Sequence, residues 1–234
     1  MRVTALIAVL AAGLLAPIAG AQPEYEMTTY QLALLRRGPA DPPLGEREIQ
    51  RLQQERLAWL GRLLEEDKLI LEGPVDGGPL RGVVVLDAGS LEAAEATMAE
   101  DPWVRAGRVV PEVHPWWTAR GIVRKPAGLA RNARFWLGLL ERPAGAPEYS
   151  AERLQEIQAG HMANIERMAQ SGDLVLAGPM GDDGALRGIF VFRGASSERI
   201  VELFRQDPAH RAGRLALTLY PWHVPAGALE PSQP

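Results

Sequence analysis

Leu71-Glu72-Gly73-Pro74 and, 105 residues later, Leu176-Ala177-Gly178-Pro179 decide how this chain is built. The match extends outward from that tetrapeptide. Leu80-Arg81-Gly82 returns as Leu186-Arg187-Gly188, offset by 106 after a one-residue insertion. Asp101-Pro102 returns as Asp207-Pro208, Arg105-Ala106-Gly107-Arg108 as Arg211-Ala212-Gly213-Arg214, and Pro115-Trp116 as Pro221-Trp222. Self-similarity at this length marks a duplicated domain, not a solenoid of short repeats.

Composition is that of an ordinary globular chain: 234 residues, 47% hydrophobic and 23% charged, enough for two small domains with modest cores. A formal net charge of −4 and the lack of any Lys/Arg cluster argue against nucleic acid as a partner. Neither a phosphate-binding loop nor a dinucleotide fingerprint is present. The N-terminus reads as an export signal over residues 1–21: Arg2, an apolar run from Val3 to Leu15, then Ala19-Gly20-Ala21 before Gln22. An uncleaved anchor is the competing reading, although the run is short for a bilayer. The expectation is a periplasmic or extracellular protein with no stable membrane insertion after cleavage. The chain has no cysteine, which excludes disulfides, a thiol nucleophile, a lipoprotein anchor and covalent haem attachment.

The local pattern predicts the same element order twice. In the first unit (22–117), strands are expected at Thr28–Leu35, Leu69–Leu71, Arg81–Leu86 and Val109–Trp117. Helices are expected at Glu46–Asp67, where Ile49, Leu52, Leu60 and Leu63 recur at helical spacing, and at Leu91–Glu100 behind an N-cap at Ser90. In the second unit (133–225), strands are expected at Arg134–Leu140, Leu174–Leu176, Gly188–Phe192 and Leu215–Trp222. Its helices are expected from Ser150 to Gln170 and at Ser197–Gln206. Residues 118–132 read as a linker and 226–234 as a frayed tail. The class is therefore α+β, with two tandem ferredoxin-like βαββαβ units. Each antiparallel sheet has helices on one face and needs a cover on the other. Packing the two sheets together as an internal pseudo-dimer supplies that cover; two separate beads on a linker is the alternative.

Each unit resembles the YCII-related (YciI-like) domain of the dimeric α+β-barrel group. The resemblance rests on His161-Met-Ala-Asn-Ile, Gly172-Asp-Leu-Val-Leu-Ala-Gly178-Pro179, Arg187-Gly188, Asp207-Pro208 and Ala212-Gly213. It implies a His–Asp pair as the chemical centre, at His161 and Asp207 here, and elimination or isomerisation of small ring-derived molecules. The first unit departs from this pattern, since Arg56 stands where His161 would be, while Asp101 is retained. Arginine does not give up its proton, so at most one unit is competent.

His161 lies midway along the apolar stripe Leu154, Ile157, Ile165 and Met168, where a polar group needs a partner. Histidine suits general acid–base work, and a satisfied structural histidine is the competing reading. Asp207 followed by Pro208 also reads as an N-cap with proline at the first helical position, opening a short turn that Gly213 ends. Further candidate ligand contacts are Arg56, Asp101, Gly178, Pro179 and Trp222, weighed against strand termination for Gly178-Pro179 and seam packing for Trp222. Trp103 and Trp117 have no counterpart tryptophan and no assigned role. None of the four histidines recurs in the other copy, and their spacing matches no zinc pattern. No metal and no cofactor are expected; spacing identifies no axial ligand for haem. The leading expectation is acid–base chemistry (elimination, isomerisation or hydrolysis) on a small organic molecule by His161 and Asp207. A non-catalytic binding module using Arg56 as an anion hook, or a structural exported domain, is the alternative. The assembly is expected to be a monomeric pseudo-dimer or a homo-oligomer.

Overall fold

The computed structural model describes residues 26–39, 44–124 and 128–229. The expected signal segment 1–21 lies outside them. The first unit runs β1 (Met27–Arg37), α1 (Glu46–Glu65), β2 (Leu69–Pro74), β3 (Leu80–Leu86), α2 (Leu91–Ala99), α3 (Pro102–Arg105) and β4 (Val109–Ala119). The second repeats it as β5 (Arg131–Glu141), α4 (Ala151–Gln170), β6 (Leu174–Pro179), β7 (Leu186–Phe192), α5 (Ser197–Arg205), α6 (Pro208–Arg211) and β8 (Ala216–Pro225). Each unit is an antiparallel sheet, ordered β2-β3-β1-β4 and β6-β7-β5-β8.

The strands are apolar on both faces, which explains runs such as Val83-Val84-Val85. Alternation sends Leu32, Leu34, Val83 and Val85 to a core shared with Leu137, Leu139, Ile189 and Val191 of the other sheet. Their neighbours Ala33, Leu35, Val84 and Leu86 turn outward under α1 and α2. Leu140, Phe190 and Phe192 do the same under α4 and α5. The two sheets thus cover each other, as expected for the pseudo-dimer.

Two seams close the pair into a barrel. Val75 bridges Trp222, and the Asp76 amide donates to Pro221 O at 2.9 Å. Across the opposite seam Trp116 bridges Met180, and the Gly181 amide donates to Pro115 O at 2.7 Å. A histidine–aspartate contact sits at each seam, His223–Asp76 and His114–Asp182, both at 2.7 Å.

Two sequence expectations need correction here. The strands extend into the expected linker from both ends, and Ile122 and Val123 within it are buried in the shared core. The tail is also not frayed over its described part. Ala228 and Leu229 pack into the same core, and Leu229 O accepts from Arg193 at 2.7 Å. Both segments gain their order by burying apolar side chains that polar neighbours mask in the sequence.

Candidate functional site

Helix α4 opens on Ser150, whose hydroxyl accepts from the Arg153 amide. Its stripe of Ile157, His161, Ile165 and Met168 faces the sheet. The residue before the histidine is Gly160, and this matters for the geometry. A Cβ there would stand 2.7 Å from Pro208 Cγ, so only glycine lets α6 pack this closely on α4. That close approach brings the N-cap of α6 against the histidine.

Asp207 uses one oxygen to cap α6 and the other to contact His161. Its Oδ1 accepts from the Ala209 amide at 2.8 Å, the capping bond of α6. Its Oδ2 lies 2.7 Å from His161 Nδ1 and accepts from Asn164 Nδ2 at 3.0 Å. Asp207 is fully buried, and Asn164 is held in turn by Arg167. The imidazole lies nearly parallel to the Phe190 ring, with centroids 6.1 Å apart. A carboxylate on Nδ1 fixes the ring orientation and leaves Nε2 for a ligand. Among the described residues Nε2 has no hydrogen-bond partner.

His161 lines a cavity of about 760 Å³ between α4 and the outer face of the second sheet. That volume lies within the usual range for small-ligand sites. Leu140, Ile157, Ile165 and Phe190 form its buried apolar walls, and Gly178 and Pro179 its lip. At the more exposed mouth stand Arg142, Arg187, Arg214 and Asp183. Every described lining residue belongs to the second unit.

The first unit fills the equivalent space with its own side chains. Arg56 Nε donates to Asp101 Oδ2 at 3.0 Å, and its Nη1 lies 3.6 Å from Glu72 Oε2. Trp103 stacks on the guanidinium at 4.4 Å, which gives that tryptophan a role the sequence left open. Glu72 and Trp103 stand where the second unit has Ala177 and Ala209, both of which line the cavity.

Of the expected ligand contacts, Gly178 and Pro179 meet at the cavity with His161, with Asp207 directly behind. Three others do not join them. Arg56 is not an anion hook, because it is buried between two carboxylates and a tryptophan. Asp101 caps α3 and holds Arg56. Trp222 is buried at the seam, donating from Nε1 to Gly73 O at 3.2 Å. Gly73 and Gly178 themselves serve the seams. A Cβ on Gly73 would meet His223 O at 2.0 Å, and one on Gly178 would meet Trp116 Nε1 at 2.3 Å.

Sequence reasoning missed the arginines of the mouth and Gly160. Arg187 and Arg214 were visible within repeated motifs, Leu-Arg-Gly and Arg-Ala-Gly-Arg, whose duplication reads as scaffold. Gly160 was detectable as a helix-interior glycine beside the key histidine.

The chain is similar in fold to two solved structures at low sequence identity. One is described as a novel haem-binding protein from Thermus thermophilus (TM-score 0.52, 14% identity, 86% of this chain and 93% of that one). The other is a mutant chlorite dismutase from Candidatus Nitrospira defluvii (TM-score 0.53, 11% identity, 85% and 92%). No curated protein sequence matches the chain. The YCII-related domain matches twice, over residues 33–116 and 141–223. With both repeats accounted for, the chain belongs to the YCII-related domain family.

Proposed function

We propose that the second unit binds a small organic molecule in its cavity and moves a proton on it through His161. The observation that carries this is the buried Asp207–His161 pair at 2.7 Å, with the other ring nitrogen on the cavity side. Asp207 orients the ring and stabilises the positive charge that develops when Nε2 takes a proton. The apolar walls exclude water around the exchanging C–H bond. Abstraction beside a carbonyl is the first step shared by elimination and isomerisation, so proton exchange tests the reading before the full reaction is known. The protein is incubated in D₂O with small lactones and ring acids, and deuterium incorporation is followed by NMR. Exchange lost in His161→Asn but kept in Arg56→Lys is expected; exchange retained in His161→Asn would sink the reading.

A second reading, haem binding, is favoured by one observation. A histidine whose Nδ1 is held by a buried carboxylate is the usual form of a metal-bound imidazole, so His161 and its cavity fit as a holder of haem iron. Haem would supply redox chemistry there, while Asp207 would set the orientation of the ring. Titration with haemin separates the two readings. A saturable Soret shift lost in His161→Ala favours haem, and no shift rejects it.

Export is part of the same proposal, resting on the signal-like segment 1–21. N-terminal sequencing of the mature protein should begin at Gln22; recovery of Met1 or Arg2 rejects cleavage.

A further inference from the structure

We propose that the cavity mouth recognises a carboxylate, making the ligand a small organic acid held by Arg142, Arg187 and Arg214. This rests on the reading of His161 as the proton-transfer group of the same cavity. The three arginines come from just past the end of β5, the start of β7 and the loop before β8, which the antiparallel register brings together at one end of adjacent strands. No carboxylate among the described residues pairs with any of them. Arg187 donates to the main-chain carbonyls of Asp182 and Gly184 at 3.2 and 3.3 Å. Arg214 donates to Pro147 O at 2.9 Å. These bonds to neutral carbonyls hold both side chains without cancelling their charge. Arg142 is exposed and makes no side-chain hydrogen bond among the described residues.

Among the described residues Asp183 is the one acidic side chain lining the cavity, so three cations face one carboxylate there. That excess stands out in a chain whose net charge is −4. Concentrated at a cleft with low-dielectric walls, it focuses a positive potential on whatever enters. The planar fork of a guanidinium matches a carboxylate with two parallel hydrogen bonds. The apolar walls then take the body of the acid, which puts its carbon skeleton beside His161.

The same positions are arginine in the plugged first unit, Arg37, Arg81 and Arg108, so they also serve the fold at this end of the strands. The test therefore has to separate recognition from scaffold. Full-length mature protein is titrated calorimetrically with benzoate and 2-furoate, each against its primary amide, and with inorganic phosphate and haemin. The acids are expected to bind about tenfold or more tighter than their amides, a preference that added salt weakens. Arg142→Gln, which breaks no side-chain hydrogen bond, and Arg214→Gln should each erase most of that preference. Arg37→Gln in the first unit should leave it intact. Equal binding of acid and amide, or a preference surviving both second-unit substitutions, would overturn the proposal. So would no saturable binding of any acid at millimolar concentration, phosphate outcompeting every acid, or arginine-dependent binding of haemin alone. The two readings fail separately. His161→Asn should abolish deuterium exchange while keeping the acid preference, and an acid preference without exchange in the wild type rejects only the proton-transfer role.

Discussion

Glu72 reaches Arg56 at 3.6 Å from the strand position that Ala177 occupies in the second unit, pairing there with Val84 as Ala177 pairs with Phe190. This exchange turns a cavity wall into a plug. With histidine replaced by arginine and Ala209 by Trp103, the first unit holds a neutralised, stacked cation where the second holds space.

Arg56→Ala should therefore be far more costly than an average substitution. It leaves Asp101 fully buried without its cation, a loss of about 3–5 kcal/mol in urea unfolding. Arg56→Met combined with Asp101→Asn should recover much of that stability, since the neutral amide can still cap α3 and leaves no stranded Asp101 charge. A double variant as unstable as the single one would mean that packing on Trp103, rather than charge, dominates.

Gly160→Ala would normally stabilise a helix by up to about 1 kcal/mol. Here the new methyl meets Pro208 Cγ at 2.7 Å, and the expected result is a loss of about 1–3 kcal/mol with Asp207 pushed off His161. Adding Pro208→Ala removes the clashing ring atoms and should restore stability. Thermal unfolding of the three variants checks this; a stabilised single variant would show that α6 shifts freely.

Gly73→Ala and Gly178→Ala should both weaken the barrel, and not equally. The first methyl would strike a main-chain oxygen, His223 O at 2.0 Å, which cannot rotate away. The second would strike the Trp116 indole at 2.3 Å, a side chain that can shift. Denaturant midpoints should therefore rank wild type above Gly178→Ala and Gly178→Ala above Gly73→Ala.

Acid should loosen the seam beside Glu112. Burial pushes its carboxyl up, but Arg36 at 2.9 Å and His114 at 3.1 Å more than offset this and hold it below the usual range. A depressed folded value contributes stability that is present above the ordinary glutamate value near 4.5 and lost as pH falls through the folded value. The carboxylate is substantially exposed, so screening keeps the effect below about 1 kcal/mol. Unfolding measured from pH 6 to 2 should show Glu112→Gln losing part of the acid-dependent slope; an unchanged slope removes Glu112 from the cause.

The repeat made most of the fold legible, because βαββαβ order and doubly apolar strands follow from local pattern alone. Paired Asp-Pro motifs announced the short helices α3 and α6, and Ser90 and Ser150 cap where their sequence context places them. Less legible was anything that depends on two segments meeting. Arg56 looks like an anion hook until Glu72 is seen to reach it from β2. Trp222 reads as either a ligand contact or seam packing until Gly73 of the other unit is seen to close on it, which settles for the seam. The mouth arginines lie on three separate strand ends, and only sheet register gathers them.

Since the described walls of the cavity lie under α4 and come from one copy, either half of such a barrel can carry a complete site of its own. Nothing in the barrel requires both halves to have one. The central core is common property, so a core mutation in either half is felt by the whole molecule. A mutation under one helix stays local. The architecture thus separates what the two halves must keep in common from what each can vary alone, and the first half holds a plug under its helix while it roofs the second.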